Sequence, residues 1–297
     1  MPAPQPGIFA TQTAHHHFLE YKIDPASDIG ALKNAIRSVL ALADDENQMV
    51  MSFGAALWDR LSPAMRPAAL EDFSAIDGGT EDQRAPSTQR DLFIWLRNDV
   101  HADILDLAVA IHQRLSAVAK VELDLPGFVY RDSRDLIGFV DGTANPKDDA
   151  RFDAALIPDG DAGAGGAYVF SQKWVHDLGA FNALGVDEQE KVVGRTKTDD
   201  IELEGDAMPP DSHVSRTDVK IDGVAQKIFR RSAPFGTAGE HGLYFLAFAC
   251  EPARIQVQLD RMYGVSSDGR HDRLVAFSRA VTGSYWYAPD KVTLAGI

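Results

Sequence analysis

The chain is 297 residues long, 45% apolar and 25% charged, with a net charge of −15. That length supports one large domain or two of about 150 residues, and the balance of residue types excludes a disordered chain and a membrane protein. The acidic excess, with no dense Lys/Arg stripe set against it, repels phosphate backbones and excludes nucleic acid as a partner.

In chain order, residues 1–7 carry neither a basic start with an apolar core nor a twin arginine, so no export signal is read and a cytoplasmic location is expected. Residues 18–23 are β-prone. Ser27 or Asp28 can cap the helix that Ile29, Leu32, Ile36, Val39 and Leu40 predict by their three- and four-residue spacing. A strand is expected over residues 48–53, a polar loop over 78–89, and a central strand at the short apolar run 92–96. Ile104, Leu107, Ala108, Ile111 and Leu115 mark a second amphipathic helix, and residues 121–130 read as extended but broken at Pro126. The first half therefore reads β-α-β-β-α-β.

The second half reads the same way: a strand over 167–174, a helix near 187–193, strands over 226–231 and 243–250, a helix through Ile255, Leu259 and Met262 ending at Gly264, and a last strand at Tyr285, Trp286 and Tyr287. The apolar run 243–250 is far shorter than the roughly 18 residues a membrane-crossing helix requires. It holds the only cysteine, Cys250, which excludes an internal disulfide, suits a reducing compartment and reads as a small buried hydrophobe. Two consecutive units predict a duplicated ferredoxin-like α+β fold of dimeric α+β barrel-like form, with antiparallel sheets and helices on one face of each. Its subdomains span residues 1–130 and 131–297. The polar excursion over residues 197–224 interrupts the second unit, and an insertion of that length is expected to carry function.

Three residues carry the chemistry. Asp141 sits among glycines in residues 137–146, where Asp and Gly alone would signal a tight turn. His213, inside the polar excursion, and Arg230 shift the balance, because Asp, His and Arg are what a haem peroxidase needs. Haem iron takes one protein histidine, whose other ring nitrogen donates to a carboxylate. Zinc takes three or four protein ligands, and the chain has no His-Glu-x-x-His helix and no paired cysteines. His15, His16 and His17 are consecutive, so their side chains alternate faces at a strand entrance and do not converge on one ion.

Over nearly its whole length the sequence resembles the dye-decolourising peroxidase family, in its compact bacterial branch. The resemblance rests on Gly138-Phe139-Val140-Asp141-Gly142, continued by Thr143-Ala144-Asn145-Pro146, followed in family order by blocks at residues 193–197, 212–216, 228–232 and 242–246. It implies haem b (iron protoporphyrin IX) in the C-terminal subdomain, with His213 as proximal iron ligand, Asp141 as distal acid/base and Arg230 as distal cation. It implies Asp272 as the carboxylate behind His213, and Thr143, Asn145 and Ser232 on the cofactor, Ser232 standing where some relatives carry asparagine; Arg195 and Lys197 read equally as partners of haem propionates and as solvated surface charge. Hydrogen peroxide and bulky organic donors, such as dyes and phenols, are the implied substrates, and a homo-oligomer the implied assembly. An aspartate with a reference pKa of about 3.9 remains a base where histidine protonates, so an acidic optimum is expected. Trp174, Tyr263, Tyr285, Trp286 and Tyr287 read first as core or interface packing, with electron relay from the surface as the alternative. Residues 291–297 show no long tail, so an encapsulin shell is not expected as a partner. A porphyrinogen- or haem-processing protein and a non-catalytic haem carrier are the competing readings.

Overall fold

The computed structural model describes residues 3–43, 49–81 and 83–297. The expected strand start at Gln48 and the first two residues of the N-terminal reading lie outside them. The first half runs β1 (His15–Ile23), α1 (Ile29–Leu40), β2 (Met49–Phe53), α2 (Ala55–Leu61), a hairpin of β3 (Ile76–Asp77) and β4 (Arg84–Ala85), β5 (Leu92–Asn98), α3 (His101–Leu115) and β6 (Ala119–Phe128). Asp28 is the cap of α1: its carboxylate accepts from the amides of Gly30 at 2.8 Å and Ala31 at 3.0 Å. Leu32, Ile36 and Val39 then fall on the buried face. Pro126 does not break β6, because β6 is an edge strand, where a residue lacking an N–H can face away from the ladder. The polar loop expected over residues 78–89 contains the second strand of the short hairpin.

The second half runs α4 (Ala150–Ala155), β7 (Ala167–His176), α5 (Leu178–Ala183), α6 (Val186–Val193), α7 (His213–Thr217), a hairpin of β8 (Lys220–Ile221) and β9 (Val224–Ala225), β10 (Phe229–Arg230), β11 (Ala233–Gly236), β12 (His241–Ala249), α8 (Ala253–Met262), β13 (Ser278–Ala280), β14 (Ser284–Ala288) and α9 (Lys291–Ala295). The strand expected over 226–231 shrinks to two residues at the sheet edge.

The strands pair in the order β10-β12-β7-β14-β2-β5-β1-β6. Each half shows the ferredoxin-like order, β6-β1-β5-β2 and β14-β7-β12-β10, with antiparallel neighbours. The two sheets are not separate: β14 pairs with β2 through Tyr287 and Phe53, so two edges that would otherwise show unpaired backbone close on each other. The fold is α+β. Leu19, Tyr21 and Ile23 on β1 meet the helices of the first half, whereas Phe18 on the opposite face stacks on Tyr244 of β12 at 4.1 Å between ring centroids. Among the described residues no helix is long and apolar enough to cross a membrane. Cys250 is free and buried, and burial pushes its thiol pKa up.

A carboxyl lies in the seam between the halves. Glu20 is 1% exposed and accepts the Tyr244 hydroxyl at 2.6 Å. Burial pushes its pKa up from 4.5 to about 7, against the Tyr244 bond and the charge of Arg90. The folded chain therefore holds this proton more tightly than the unfolded one. Its contribution to stability is full below the unfolded value and is lost as pH rises through about 7, by on the order of 3 kcal/mol. Glu20→Gln keeps an uncharged partner for Tyr244 and is expected to remove that slope. Denaturant unfolding of both chains at about pH 5 and about pH 8 checks it, and an equal slope in the two would clear Glu20 of the effect.

Candidate active site

Asp141 stands on a loop whose shape the glycines set. Gly138 and Gly142 adopt φ of +96° and +90°, a region that disfavours side chains. At Gly138 a Cβ would also lie 2.6 Å from Cε of Lys197. Arg134 closes the loop by donating from Nη1 to the carbonyls of Gly138 at 2.8 Å and Lys197 at 2.6 Å. The turn reading and the site reading of this segment are thus compatible: the turn is what presents the carboxyl. Asp141 is half-buried by area, since it touches open cavity space, yet its carboxyl is densely enclosed by protein. Burial raises its pKa and the nearby Asp135 adds to this, against the Arg230 charge, the Gly142 amide and His213.

His213 opens α7, a short helix within the polar excursion over residues 197–224. Ser212 caps it by accepting from the Ser215 amide at 3.3 Å. Arg216, 1% exposed, fastens the helix to its neighbours through a two-pronged pair with Asp268, at 2.6 and 2.9 Å, and a bond from Nε to the Arg261 carbonyl at 3.0 Å. His213 Nδ1 meets Asp272 Oδ2 at 2.6 Å. Asp272 is itself fixed, because its Oδ1 accepts from the Leu274 amide at 2.8 Å as the cap of a 3-10 turn (Arg273–Ala276). The His213 side chain keeps 26% exposure while Asp272 has none. One ring nitrogen is therefore anchored, and the ring lines the cavity with Nε2 free of hydrogen-bond partners among the described residues.

Arg230 is placed from both sides by one amide. Asn145 Nδ2 donates to the Arg230 carbonyl at 2.8 Å, and the Arg230 amide donates to Asn145 Oδ1 at 2.8 Å. These are the outward groups of edge strand β10, so Asn145 both ends the sheet and ties Arg230 to the Asp141 loop. His213, Asp141, Arg230, Thr143 and Arg195 line one cavity, walled with Phe139, Phe245, Leu259, Met262 and Val275. Asp272 stands behind His213. Asn145 and Ser232 line a smaller adjoining chamber, and Ser232 Oγ accepts from the Leu246 amide at 3.3 Å. At the cavity rim the Thr143 hydroxyl donates to Asp200, and Arg195 pairs with Glu202 and donates to the Asp200 carbonyl at 3.0 Å. Lys197 is turned away, its amine on Gln189 Oε1 at 2.6 Å and under the Phe139 and Phe181 rings, where burial lowers its pKa.

The five aromatic relay candidates are not surface residues. Trp174, Tyr263, Tyr285, Trp286 and Tyr287 are each 9% exposed or less: four lie on the inner strands β7 and β14, and Tyr263, at the end of α8, packs into the core cluster that holds Trp174 and Tyr285. Sequence reasoning missed Gln172, His176, Ser278 and Asp135, all on the cavity wall. His176 bridges Ser278 Oγ at 2.7 Å and Asp135 Oδ2 at 3.1 Å. The period of two along β7 puts Gln172, Trp174 and His176 on one face, which is the signal that could have found two of them. As expected, the three consecutive histidines part company: His16 takes a bond from Trp95 and His17 pairs with Asp124 at 2.5 Å. Among the described residues no group of His, Cys, Asp and Glu could hold a free metal ion.

This fold, with an anchored histidine, a half-buried aspartate and a half-buried arginine on one cavity, has a counterpart among known enzymes. Residues 5–129 match the N-terminal and residues 132–293 the C-terminal domain of Dyp-type peroxidase. The chain belongs to the Dyp-type peroxidase family and is a peroxidase. It is 37% identical to a dye-decolorizing peroxidase of Mycolicibacterium paratuberculosis, over 96% of this chain and 83% of that one. A variant of DypB from Rhodococcus jostii, solved in complex with haem, is 36% identical with a TM-score of 0.90 over 96% of each chain. The encapsulated DyP-type peroxidase from Mycobacterium smegmatis is 36% identical with a TM-score of 0.93, over 99% of this chain and 98% of that one. This similarity to an encapsulated protein removes the support for the expectation that a shell is not a partner.

Proposed function

We propose that this chain binds haem b in the cavity of its C-terminal subdomain, residues 131–297, and reduces hydrogen peroxide while oxidising bulky organic donors one electron at a time. The observation that carries the reading is the meeting, on one largely apolar cavity, of a histidine with one ring nitrogen anchored and the other free, and a half-buried carboxyl that feels the charge of an arginine. Such walls suit a flat apolar macrocycle, and a lone imidazole suits its iron. Haem supplies the iron redox chemistry that breaks the O–O bond and takes electrons back from donors.

Each residue then has a definable task. His213 Nε2 would hold the iron, and Asp272, accepting from Nδ1–H, would make the imidazole a stronger donor. Asp141 takes the proton from one peroxide oxygen and delivers it to the departing one. Arg230 stabilises the negative charge that gathers on that oxygen, in a place where little water competes. Asn145 is a positioning residue for Arg230, and Thr143 and Arg195 sit where propionates would leave the cavity, Arg195 by exchanging Glu202 for one of them. Trp174, on the cavity wall and stacked on Tyr263 at 6.1 Å, is the aromatic best placed to pass electrons onward. The resemblance supports a homo-oligomer, and the single free cysteine a reducing, cytoplasmic location.

Adding one equivalent of hydrogen peroxide to the haem-loaded protein tests this reading. The ferric absorption band is expected to convert within the mixing time and to return when a phenol is added. Haem binding with unchanged bands after peroxide would favour the carrier reading, for which Asp141 beside Arg230 serves no purpose. Consumption of haem without peroxide turnover would favour processing.

A further inference from the structure

The smaller chamber shares Asp141 and Arg230 with the cavity and is lined besides by His16, Arg231 and Ser232. The proposed reaction leaves His16 without a task. This residue is 3% exposed, and Trp95 Nε1–H donates to its Nδ1 at 3.1 Å. An indole N–H only donates, so Nδ1 is the acceptor and the neutral ring carries its proton on Nε2. That Nε2 is buried and has no hydrogen-bond partner among the described residues. The Thr13 carbonyl lies near enough to favour a protonated ring, though not in bonding geometry. Burial and the charges of Arg231 and Arg97 outweigh it and push the pKa down to about 3, so the ring stays neutral. An orphaned buried donor costs about 1–3 kcal/mol, and native structures keep one where something polar fills the space beside it.

Arg231 gives the chamber its charge. The guanidinium lies over the Trp95 and Phe229 rings at 5.5 and 5.9 Å and donates from Nη2 to the Ala10 carbonyl at 2.9 Å, with no carboxylate on it among the described residues. Burial and the neighbouring Arg97 and Arg151 lower its pKa to about 10, which leaves it cationic at neutral pH. Three arginines, Arg134, Arg230 and Arg231, and a single carboxylate, Asp141, line the chamber, and Arg134 is already paired with Asp132. A water molecule would satisfy His16 alone. An anion satisfies the N–H and the uncompensated cation together.

We propose that this chamber is a binding site for a small monovalent inorganic anion of halide or nitrite size, held by His16 Nε2–H and the Arg231 guanidinium beside the Asp141–Arg230 pair. The site needs neither His213 nor haem, so it stands or falls separately from the proposed peroxide chemistry. If that chemistry holds, negative charge at this position opposes ionisation of Asp141.

Bromide is the probe, because it scatters anomalously. Crystals of the haem-loaded full chain soaked in sodium bromide are expected to show an anomalous peak in contact with His16 Nε2 and Arg231. In solution, bromide is expected to raise the unfolding midpoint saturably above that in sodium gluconate of equal ionic strength, whose anion is too large to enter. His16→Phe, which fills the space without a donor, should abolish both signals. Arg231→Gln provides a second variant and should weaken the bromide effect tenfold or more. A water in place of the peak, or a midpoint that follows ionic strength alone, overturns the proposal. So does a peak without a midpoint shift, which means an adventitious ion only, or an undiminished bromide effect in both variants.

Discussion

Haem affinity is expected to fall by more than about 100-fold in His213→Ala, since losing an iron ligand must exceed the 10–100-fold that loss of an outer-shell partner costs. Retention of haem against a competing haem-binding protein measures this, and added imidazole should restore the native absorption bands by filling the space the side chain leaves. The second half of the same experiment is Asp272→Asn. Asp272 is fully buried, accepts from the Leu274 amide with one oxygen and meets His213 Nδ1 with the other. An asparagine can keep a hydrogen bond there but not the negative charge, so affinity should fall within the 10–100-fold range and the iron should become easier to reduce. Two variants that retain haem with unaltered bands would remove His213 from the iron, and the proposed arrangement with it.

How much of this was legible in advance depended on how local each cause was. Helix α1 was readable because Asp28, Leu32, Ile36 and Val39 encode cap and face within one segment. Helices α2 and α5, of 7 and 6 residues, are too short for a period to show. The strand pairs were legible, but their union was not, since the join between Tyr287 and Phe53 depends on two edges meeting 234 residues apart. The placing of Asp272 behind His213 followed the resemblance, and the structure brings the two together across 59 residues. The role of Asn145 was out of reach: its amide reads the backbone of Arg230, and backbone groups leave no trace in the letters. Ser232 and Asn145 line the smaller chamber and not the cavity. The core packing favoured for the five aromatics holds, and for those on β14 only the final strand order, which makes it an inner strand, shows why.

The largest kinetic effect is expected at Asp141. Asparagine in its place can accept a hydrogen bond but cannot take a proton, so the reaction with peroxide should slow by about 10²–10⁴-fold while haem binding persists. Arg230→Leu should cost about 10²–10³-fold, the usual loss for one preorganised donor. The pH dependence separates their roles. The acid side of the expected optimum is set by Asp141, whose pKa burial and Asp135 raise. Only the ionised carboxylate is a base, so the rate should fall as pH drops through a pKa above the ordinary value of about 3.9. Arg230 is the main influence holding that pKa down. Its removal should therefore shift the acid limb to higher pH as well as lower the plateau, whereas Arg230→Lys, which keeps the charge, should leave the limb nearly in place. A plateau loss with an unmoved limb in Arg230→Leu would mean that the arginine acts on the departing oxygen alone. A limb that persists in Asp141→Asn would mean that another group, with His176 and Asp135 as candidates on the cavity wall, carries the proton.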